Sequence, residues 1–207
     1  MNQKNSLGLN ACFMDLEDPM ELFKLWMDKA KKSEINDPNA LSLATTSNKN
    51  EPSVRMVLLK GLSHKGFVFY TNLNSPKSSD LKNNPKAAMC FHWKSLQRQI
   101  RISGTITQID NKEADQYFNS RPYESRIGAW ASDQSKVMNK REEFIKKIED
   151  FKKKYKDDKI LPRPDHWSGW CLNPSSIEFW LGDQYRIHER LKYNKVSNRW
   201  EKEILYP

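Results

Sequence analysis

Three basic side chains occupy alternate positions near the C-terminal end of the chain. The segment 185–190 reads YRIHER, and the two-residue period of a β-strand would place Arg186, His188 and Arg190 on one face. Like charges at that spacing repel one another unless something negative lies opposite. We therefore expect this face to contact an anionic ligand, with the aromatic ring of Trp180 nearby across a short turn.

A second group of residues has the composition of a phosphate-binding helix start. In the segment NSPKSS, Ser75 and Pro76 predict the N-terminus of a helix, which offers free backbone N–H groups and the positive end of the helix dipole. Lys77 would add a cation at the same place. The segment lacks the glycines of a P-loop, so an ordinary capped helix is the alternative interpretation.

A third group consists of Tyr117, Arg121 and Ser125, which are spaced four residues apart. A continuous helix would align them on one face. A phenol, a guanidinium and a hydroxyl together can bind a phosphate, and the guanidinium contributes a planar pair of donors. Pro122 interrupts the helical pattern, and a helix end with an exposed arginine is the alternative.

Two strand-like segments also carry polar groups that could contact a ligand. RMVLLK runs from Arg55 to Lys60, with an apolar middle and a cation at each end. A core strand whose ends reach solvent would have the same pattern. In QRQIRIS, Gln99 lies on the polar face of an alternating strand. Its amide could hydrogen bond to the edge of a flat heteroaromatic ring, although a solvent-exposed face explains the pattern equally well.

Composition limits the kinds of ligand and location. The 207-residue chain has a formal net charge of +9, which favours anionic partners such as nucleic acid, acidic lipid or a phosphorylated small molecule. The histidines have no metal-ligand spacing, so we predict no metal site. The three cysteines lie far apart, and no apolar stretch is long enough for a membrane span or a signal peptide. We therefore expect a cytoplasmic protein that does not act at a membrane.

The periodicity of the remaining sequence indicates the elements that must position these groups. Helices are predicted from Asp18, from Ser75, from Asp110 and over residues 136–155. About nine short stretches with a two-residue period are typical of β-strands. Most lie too close in sequence for crossover helices, so they should pair antiparallel. We predict a mainly β fold, an antiparallel barrel with flanking helices.

The same patterns predict the boundaries of the domain and of its C-terminal strands. Residues 1–17 show no clear period and are predicted to form a mobile or partner-docked arm. Residues 18–207 are predicted to form a single domain. Separate strands are expected at 167–172 and 175–182, followed by a strand over 184–193 that carries the basic face.

These segments, taken together and in order, resemble a known enzyme family. RMVLLK, FYTN, SPK, QRQ, YFNSRPYES, IGAWASDQS, IEFW and RIHER are similar to the pattern of the pyridoxamine (pyridoxine) 5′-phosphate oxidases, from about Asp18 to the closing LYP. The resemblance implies a Greek-key-like split β-barrel that binds FMN at the interface of a homodimer. It also implies oxidation of pyridoxamine or pyridoxine 5′-phosphate to pyridoxal 5′-phosphate, with O2 reoxidising the flavin to give hydrogen peroxide.

The resemblance also implies roles for individual residues. The residues expected to bind FMN are Arg55, Met56, Val57, Leu58, Leu59, Lys60, Tyr70, Thr71, Lys77, Gln99, Gln134, Ser135, Trp180 and Arg190. Those expected to bind the substrate are Lys60, Tyr117, Arg121, Ser125, Arg186 and His188. Of these, Gln134 and Ser135 are expected to come from the neighbouring subunit, and Arg186 and His188 are expected to face the pyridine ring as the catalytic pair.

One departure and two alternatives accompany the resemblance. Pro76 stands where the family usually has an arginine that binds the FMN phosphate. A related split-barrel flavin oxidase with another substrate, such as a phenazine-pathway oxidase, is the closer alternative. A basic, aromatic-rich barrel that binds single-stranded nucleic acid is the more distant one.

Overall fold

The computed structural model describes residues 3–63, 65–156 and 161–207, and within them all nine strands belong to one sheet. The strands in chain order are β1 (Ala40–Thr46), β2 (Pro52–Leu58), β3 (Gly61–Ser63), β4 (Gly66–Asn72), β5 (Lys86–Trp93), β6 (Arg98–Gln108), β7 (Trp167–Leu181), β8 (Glu189–Val196) and β9 (Arg199–Leu205). The strand order is β2-β1-β5-β6-β7-β4-β3, and β8 pairs with β7 and β9. Each of these pairings is antiparallel, as predicted.

The helices flank this sheet, and two of them begin at an aspartate that caps the first turn. They are α1 (Pro19–Ser33), α2 (Pro76–Asn83), α3 (Asn111–Asn119), α4 (Tyr123–Ala131) and α5 (Arg141–Lys154). The carboxylate of Asp18 accepts a hydrogen bond from the backbone N–H of Met20, and that of Asp110 from the backbone N–H of Glu113. These contacts satisfy donors that a helix leaves free in its first turn.

The main core lies between α1 and one face of the sheet. Phe23 of α1 packs edge-on against Phe67, with ring centroids 4.8 Å apart, and Trp26 packs against Phe179 at 5.2 Å. These four rings are at most 1% exposed. Burying several such side chains, each stabilising by about 1.5–3 kcal/mol, fixes the sheet on which the functional residues are mounted.

A single long strand replaces the two strands predicted at 167–172 and 175–182. The 15-residue strand β7 continues through Pro174 because the pairing with β6 shifts by one residue between Ser103 and Gly104. A side chain at Gly104 would place its Cβ 2.1 Å from the carbonyl oxygen of Asn173. The bulge therefore depends on glycine, and it accommodates a proline that cannot donate a ladder hydrogen bond.

The N-terminal segment packs against its own chain instead of standing free. Phe13 is fully buried beside Trp26, whose indole N–H donates to the carbonyl of Cys12 at 2.7 Å. The hydroxyl of Tyr193 donates to the carbonyl of Leu16 at 2.9 Å. Residues 3–17 thus close one end of the core, because Phe13 supplies apolar surface that the sequence pattern did not single out.

Candidate active site

A cleft of about 680 Å³ gathers most of the predicted site residues. It lies beside β2, between the end of β4, the start of α2, the turn from α3 to α4 and the start of β7. The predicted residues that line it are Met56, Val57, Leu58, Lys60, Tyr70, Thr71, Lys77, Tyr117, Arg121, Ser125 and Gln134. Segments far apart in sequence therefore meet at one concave surface, where ligand sites are usually found.

Lys77 is a buried cation without an acidic partner among the described residues. Its ammonium donates hydrogen bonds to the hydroxyls of Thr71 (3.1 Å) and Ser75 (3.0 Å) and to the side-chain oxygen of Gln134 (2.8 Å). Burial, reinforced by the nearby charge of Arg55, lowers the pKa of Lys77 to about 8. A buried charge whose hydrogen-bond partners are all neutral is costly, so this position favours an anionic ligand.

The first turn of α2 adds further donors at the same position. Ser75 is the N-cap residue of α2, and its hydroxyl donates to the carbonyl of Asn72 at 2.7 Å instead of capping the helix. The first backbone N–H groups of α2 are consequently not capped by that side chain, and the positive end of the helix dipole lies beside Lys77. Both features are those of a phosphate site.

Arg55 supports this site from outside the lining of the cleft. Its guanidinium donates to the hydroxyls of Thr45 and Ser53, at 2.7 Å each, and lies 4.0 Å from a carboxylate oxygen of Asp80. Burial lowers the pKa of Arg55, and Asp80 partly offsets that effect. Although Asp80 offsets part of its charge, Arg55 still contributes to the lowered pKa of Lys77.

An aromatic wall forms the opposite side of the cleft. The rings of Tyr70 and Tyr117 stack with centroids 3.8 Å apart, and Trp167 lies nearly parallel to both, at 5.3 and 6.2 Å. Burial raises the pKa of Tyr70 to about 12 and also raises that of Tyr117. Both phenols therefore remain neutral hydrogen-bond donors at physiological pH.

Arg121 is the second cation of the cleft, and its Nη1 atom is buried without a hydrogen-bond partner among the described residues. Burial lowers the pKa of this guanidinium. The predicted continuous helix through Tyr117, Arg121 and Ser125 was wrong, because α3 ends at Asn119 and α4 begins at Tyr123, after Pro122. The turn nevertheless brings all three side chains to the cleft.

Two members of the segment 55–60 lie outside the cleft. Leu59 is 9% exposed and belongs to the main core, while Arg55 is absent from the lining but close enough for its charge to lower the pKa of Lys77. Met56 and Leu58 alternate with half-buried neighbours on β2 and remain 63% and 37% exposed. The predicted strand is confirmed, but its residues divide between the core, the cleft and an exposed apolar face.

The remaining predicted site residues lie elsewhere in the same chain. They are Gln99, Ser135, Trp180, Arg186, His188 and Arg190. Ser135 lines a neighbouring cavity of about 340 Å³, and the other five cluster around the C-terminal end of β7. Trp167 and Trp180 lie thirteen residues apart on β7. At a rise of about 3.3 Å per residue, an extended strand of that length spans up to roughly 43 Å. One subunit therefore presents its two groups of predicted ligand-binding residues at opposite ends of one strand.

The predicted shared face of Arg186, His188 and Arg190 was wrong. Residues Gln184–Arg186 form a turn of 3₁₀-helix, and β8 begins only at Glu189. Tyr185 and Arg186 have left-handed φ values of 55° and 65°, which break the alternation that a strand requires. Such strained backbone in non-glycine residues is concentrated at functional sites.

Each basic residue of this segment instead has its own environment. Arg186 is exposed. His188 lies 4.6 Å from the ring of Trp180, and its Nδ1 accepts a hydrogen bond from the backbone N–H of Asp183 at 3.2 Å. Arg190 forms an ion pair with Glu178 at 2.8 Å. The negative partner of Arg190 is thus a carboxylate of the same chain.

Gln134 also differs from its expected position. The resemblance assigned it to the neighbouring subunit, whereas its side-chain oxygen accepts hydrogen bonds from Lys77 and Thr71 of the same chain. The loop that follows α4 turns back towards the start of α2. Asn72 stabilises this arrangement, because its side-chain amide donates a hydrogen bond to the carbonyl of Ser132 at 3.1 Å. Gln134 therefore belongs to the cleft of its own subunit in this structure.

Sequence reasoning missed several residues that line the cleft. They are Asn72, Pro122, Gly128, Ala129, Ser132, Phe144 and Trp167. The sequence does predict that Trp167 begins a strand. The strand pattern does not show, however, which of the aromatic side chains reach a ligand. Among the described residues no cluster of His, Cys, Asp or Glu could hold a metal ion; His64 lies outside them.

Comparison with known proteins identifies the family. Residues 27–155 match the family model described as pyridoxamine 5′-phosphate oxidase, and residues 167–207 match the pyridoxine 5′-phosphate oxidase C-terminal dimerisation region. The chain belongs to the pyridoxamine 5′-phosphate oxidase family. The predicted resemblance is thereby confirmed over most of the chain.

Individual members of the pyridoxamine 5′-phosphate oxidase family match over nearly their full length. The pyridoxine/pyridoxamine 5′-phosphate oxidase of Pelagibacter ubique is 62% identical over 208 residues, covering 100% of both chains. That of Sinorhizobium fredii is 47% identical and covers 94% of this chain and 95% of its own.

Solved structures confirm the split-barrel fold. PhzG from Burkholderia lata, in complex with tetrahydrophenazine-1-carboxylic acid, superposes with a TM-score of 0.89 at 26% identity, covering 99% of this chain and 100% of its own. A pyridoxamine 5′-phosphate oxidase-related, FMN-binding protein of Nostoc punctiforme superposes at 0.73 with 16% identity, covering 94% of this chain and 100% of its own. The second likeness supports the fold alone.

FMN is the cofactor of the family, and the cleft fits it. Lys77 and the start of α2 form a phosphate site in which the cation lacks an acidic partner among the described residues. Thr71 and Gln134 surround this site with groups that can hydrogen bond to a polar ligand.

None of the described helices is both long and apolar enough to cross a membrane.

Proposed function

We propose that this chain is one half of a homodimeric, FMN-dependent pyridoxine/pyridoxamine 5′-phosphate oxidase in which each ligand site is built from both subunits. The substrate is oxidised at C4′ to pyridoxal 5′-phosphate, and the amine substrate also releases ammonia after water adds to the oxidised carbon. When bound, FMN supplies the hydride acceptor, which O2 reoxidises with release of hydrogen peroxide. The protein supplies binding and orientation.

The observation that carries this proposal is the presence in one cleft of two cations whose charged groups are buried, apart from the exposed Lys60. Lys77 marks one position and Arg121 the other, and neither forms an ion pair with a described residue. An oxidase that binds a flavin phosphate and a substrate phosphate together needs two such positions. A site for a single phosphorylated ligand would leave one of these buried charges unexplained.

We assign the cofactor phosphate to Lys77 and the start of α2. The substrate phosphate is assigned to Arg121, helped by Tyr117, Ser125 and Lys60, which line the same cleft. The neutral phenol of Tyr117 donates a hydrogen bond, and the guanidinium can present two parallel donors to phosphate oxygens. Anchoring both phosphates fixes the distance between the two reacting rings, which is the main requirement for hydride transfer.

The second subunit is proposed to supply Arg186, His188, Trp180, Gln99 and Arg190. These residues lie at the far end of β7 from the cleft of their own chain, so a two-fold dimer is the arrangement that brings them to a cleft. In this proposal Arg186 and His188 cover the substrate ring, and the other three contact the flavin. Ser135, beside Gln134, is assigned to the cofactor as well.

An exposed apolar strand face supports the dimer. Val54, Met56 and Leu58 project from one side of β2, at the edge of the sheet, and are 67%, 63% and 37% exposed. Alternating apolar side chains on an edge strand favour association unless they are covered. This face borders the cleft, since Met56 and Leu58 also line it, so a partner docked there would lie next to the ligands.

Complementation between two inactive variants tests the shared site. Arg121→Ala and Arg186→Ala chains carrying different affinity tags are co-expressed, and the heterodimer is purified through both tags. If each site takes Arg121 from one subunit and Arg186 from the other, the heterodimer contains one intact site and recovers about half of the wild-type activity per dimer. Two differently tagged Arg121→Ala chains serve as the control and remain inactive.

Two outcomes of this experiment would contradict the proposal in different ways. A heterodimer as inactive as its parents would show that both arginines serve a site within one chain. Wild-type protein that releases no peroxide with either phosphorylated vitamer would refute the proposed function itself.

All three cysteines are free thiols, which supports the further proposal that the enzyme works in a reducing cytoplasm.

The alternatives from the sequence are less well supported. The likeness to PhzG extends to the whole fold, but its 26% identity compares with 62% for the oxidase of Pelagibacter ubique. Two cationic positions also suit two phosphorylated ligands better than one phosphorylated ligand and a tricyclic carboxylate. For a nucleic-acid-binding barrel, phosphate-binding lysines should lie on the surface, whereas Lys77 is 9% exposed.

A further inference from the structure

Trp167 lies beneath the guanidinium group of Arg121. The Cζ atom of Arg121 is 4.7 Å from the centroid of the indole ring and 5.9 Å from that of Phe118. Trp167 is itself 6% exposed, so the contact lies in a largely water-free part of the cleft. A cation over an aromatic face is stabilised most strongly when water is excluded.

No ion pair or hydrogen bond involving a described residue orients this guanidinium. Its Nη1 atom is buried without a partner among the described residues, and its Cζ atom lies over two aromatic rings, of which Trp167 is the nearer. An arginine side chain has several rotatable bonds, and leaving them free would cost affinity for any ligand that must order them. The indole ring therefore provides the main restraint on the plane of the guanidinium.

The position of Trp167 is in turn fixed from a second direction. Arg163 donates to the carbonyl oxygen of Trp167 at 2.7 Å and forms a 2.6 Å ion pair with Asp115 of α3. The same helix carries Tyr117, whose ring stacks parallel to the indole. The start of β7 and the end of α3 are thus held together as one unit, which contains both the phenol and the guanidinium assigned to the substrate phosphate.

We propose that Trp167 is the positioning residue of the substrate-phosphate site: by holding the Arg121 guanidinium flat against its indole face, it aims the guanidinium edge into the cleft and sets the preference for phosphorylated substrates. This inference rests on the proposed function and adds a residue to it. The cofactor phosphate should not depend on Trp167, because hydrogen bonds from Lys77 to Thr71, Ser75 and Gln134 hold that cation in place.

The test measures binding of a matched pair of unreactive ligands to FMN-loaded enzyme. 4-Deoxypyridoxine 5′-phosphate carries a methyl group where the substrate has its alcohol or amine, so it binds without being oxidised; 4-deoxypyridoxine lacks the phosphate as well. The ratio of their dissociation constants, followed by the flavin absorbance, reports the contribution of the phosphate. The variants are Trp167→Leu, Trp167→Phe, Arg121→Lys and the double variant Trp167→Leu/Arg121→Lys.

Trp167→Leu should reduce the phosphate preference by about tenfold. Trp167→Phe, which keeps a smaller flat face and the packing against Phe118, should retain part of it. Arg121→Lys preserves the charge but loses the planar group, so in the wild-type enzyme it should reduce the phosphate preference by about tenfold. When the same substitution is added to the Trp167→Leu variant, the further reduction should be less than about twofold. The dissociation constant of FMN should change by less than about twofold throughout.

Trp200→Leu is the matched control. Trp200 also lies under a cation, with Lys195 at 5.8 Å from its ring, but it belongs to β9, away from the cleft. Its substitution should leave the phosphate preference unchanged. The proposal is overturned if Trp167→Leu and Trp167→Phe both keep the wild-type ratio, if FMN affinity falls as much as ligand affinity, or if the losses from Trp167→Leu and Arg121→Lys simply add. Failure of wild-type enzyme to oxidise either vitamer would instead refute the function.

Discussion

Lys77 and Gln134 are joined by a hydrogen bond of 2.8 Å between the ammonium and the side-chain amide oxygen, across 57 residues of sequence. The same oxygen accepts a hydrogen bond from Thr71 at 3.1 Å. The contact links the first turn of α2 to the loop after α4 and surrounds a buried cation with neutral oxygens. An amide oxygen is a weak substitute for a phosphate, so this pair indicates where the cofactor's charge is required.

Removing the cation tests that interpretation. Lys77→Met should weaken FMN binding by about 10- to 100-fold, because a charge-assisted hydrogen bond to phosphate contributes about 1.5–3 kcal/mol. The thermal midpoint of the FMN-free protein should not fall, since the substitution removes a buried charge that has no acidic partner among the described residues. Fluorescence titration with FMN and calorimetry of the FMN-free protein check the two parts.

The matched control for that substitution is Lys82→Met in the same helix. Lys82 is exposed and donates only to the carbonyl of Leu73, at 3.3 Å. Its substitution should leave FMN affinity within about twofold of wild type. Equal losses from both variants would mean that general positive charge, and not the position of Lys77, attracts the cofactor.

The affinity for FMN should fall as the pH rises above 8. The pKa of Lys77 is lowered from 10.5 to about 8 by burial and by the charge of Arg55, so above pH 8 the FMN-free protein must take up a proton to bind the phosphate. The dissociation constant should then rise by up to about tenfold per pH unit. Lys77→Arg, which stays protonated throughout, should give a flat profile; a wild-type profile flat from pH 7 to 9.5 would contradict the assignment.

The same pKa shift affects stability with the opposite sign. In the FMN-free protein the folded state releases the Lys77 proton near pH 8, whereas the unfolded chain keeps it up to about 10.5. Stability rises with pH wherever the unfolded state binds more protons. The difference in unfolding free energy between wild type and Lys77→Met should therefore shift in favour of wild type between pH 8 and 10, as urea titrations at each pH would measure.

Pro76 offers a test in which binding should improve. It is the first residue of α2 and is exposed, so a longer side chain can be accommodated there without loss of packing. Pro76→Arg restores the cation expected from the family resemblance and should tighten FMN binding by about three- to tenfold at low salt. Pro76→Gln, which adds length without charge, is the control. No gain from arginine would mean that Lys77 and the helix start already satisfy the phosphate.

The apolar face of β2 predicts the consequence of breaking the dimer. Met56→Lys should give monomers in light scattering at micromolar concentration, because a charge would be buried in the proposed interface. The monomer should also lose FMN, since half of the proposed ligand contacts come from the partner. Ile35→Lys, at a position 92% exposed in the loop after α1, should remain dimeric and yellow. A dimeric, flavin-loaded Met56→Lys protein would place the interface elsewhere.

The sequence predicted local features well where a single element decides them. Asp18 and Asp110 mark the starts of α1 and α3, because capping depends on residues within one turn. Strand periodicity identified β1, β2, β4, β5, β6 and β9, since the alternation of side chains is a property of each segment by itself. The phosphate-binding composition at Lys77 and around Arg121 could likewise be recognised before any coordinates were known.

The predictions that failed were those that extended a local period across a break. Alternation predicted one basic face at residues 186–190, but the left-handed backbone of Tyr185 and Arg186 ends it. Turn residues around Pro174 predicted two strands, but Gly104 on the neighbouring strand allows a bulge and one continuous strand. In the first case backbone geometry decides the structure, and in the second a residue on another element does. Neither can be deduced from the periodicity of a single segment.

By itself, the sequence determined the family, the fold class and the chemistry of the ligands, because residue types and their local spacing are properties of the chain. Only the tertiary structure decided which of those residues share a cleft. It brought Lys77, Gln134, Tyr117 and Arg121 together and placed Arg186 and His188 at the other end of β7. The physical reason is that a rigid, antiparallel sheet converts separation along the chain into fixed separation in space.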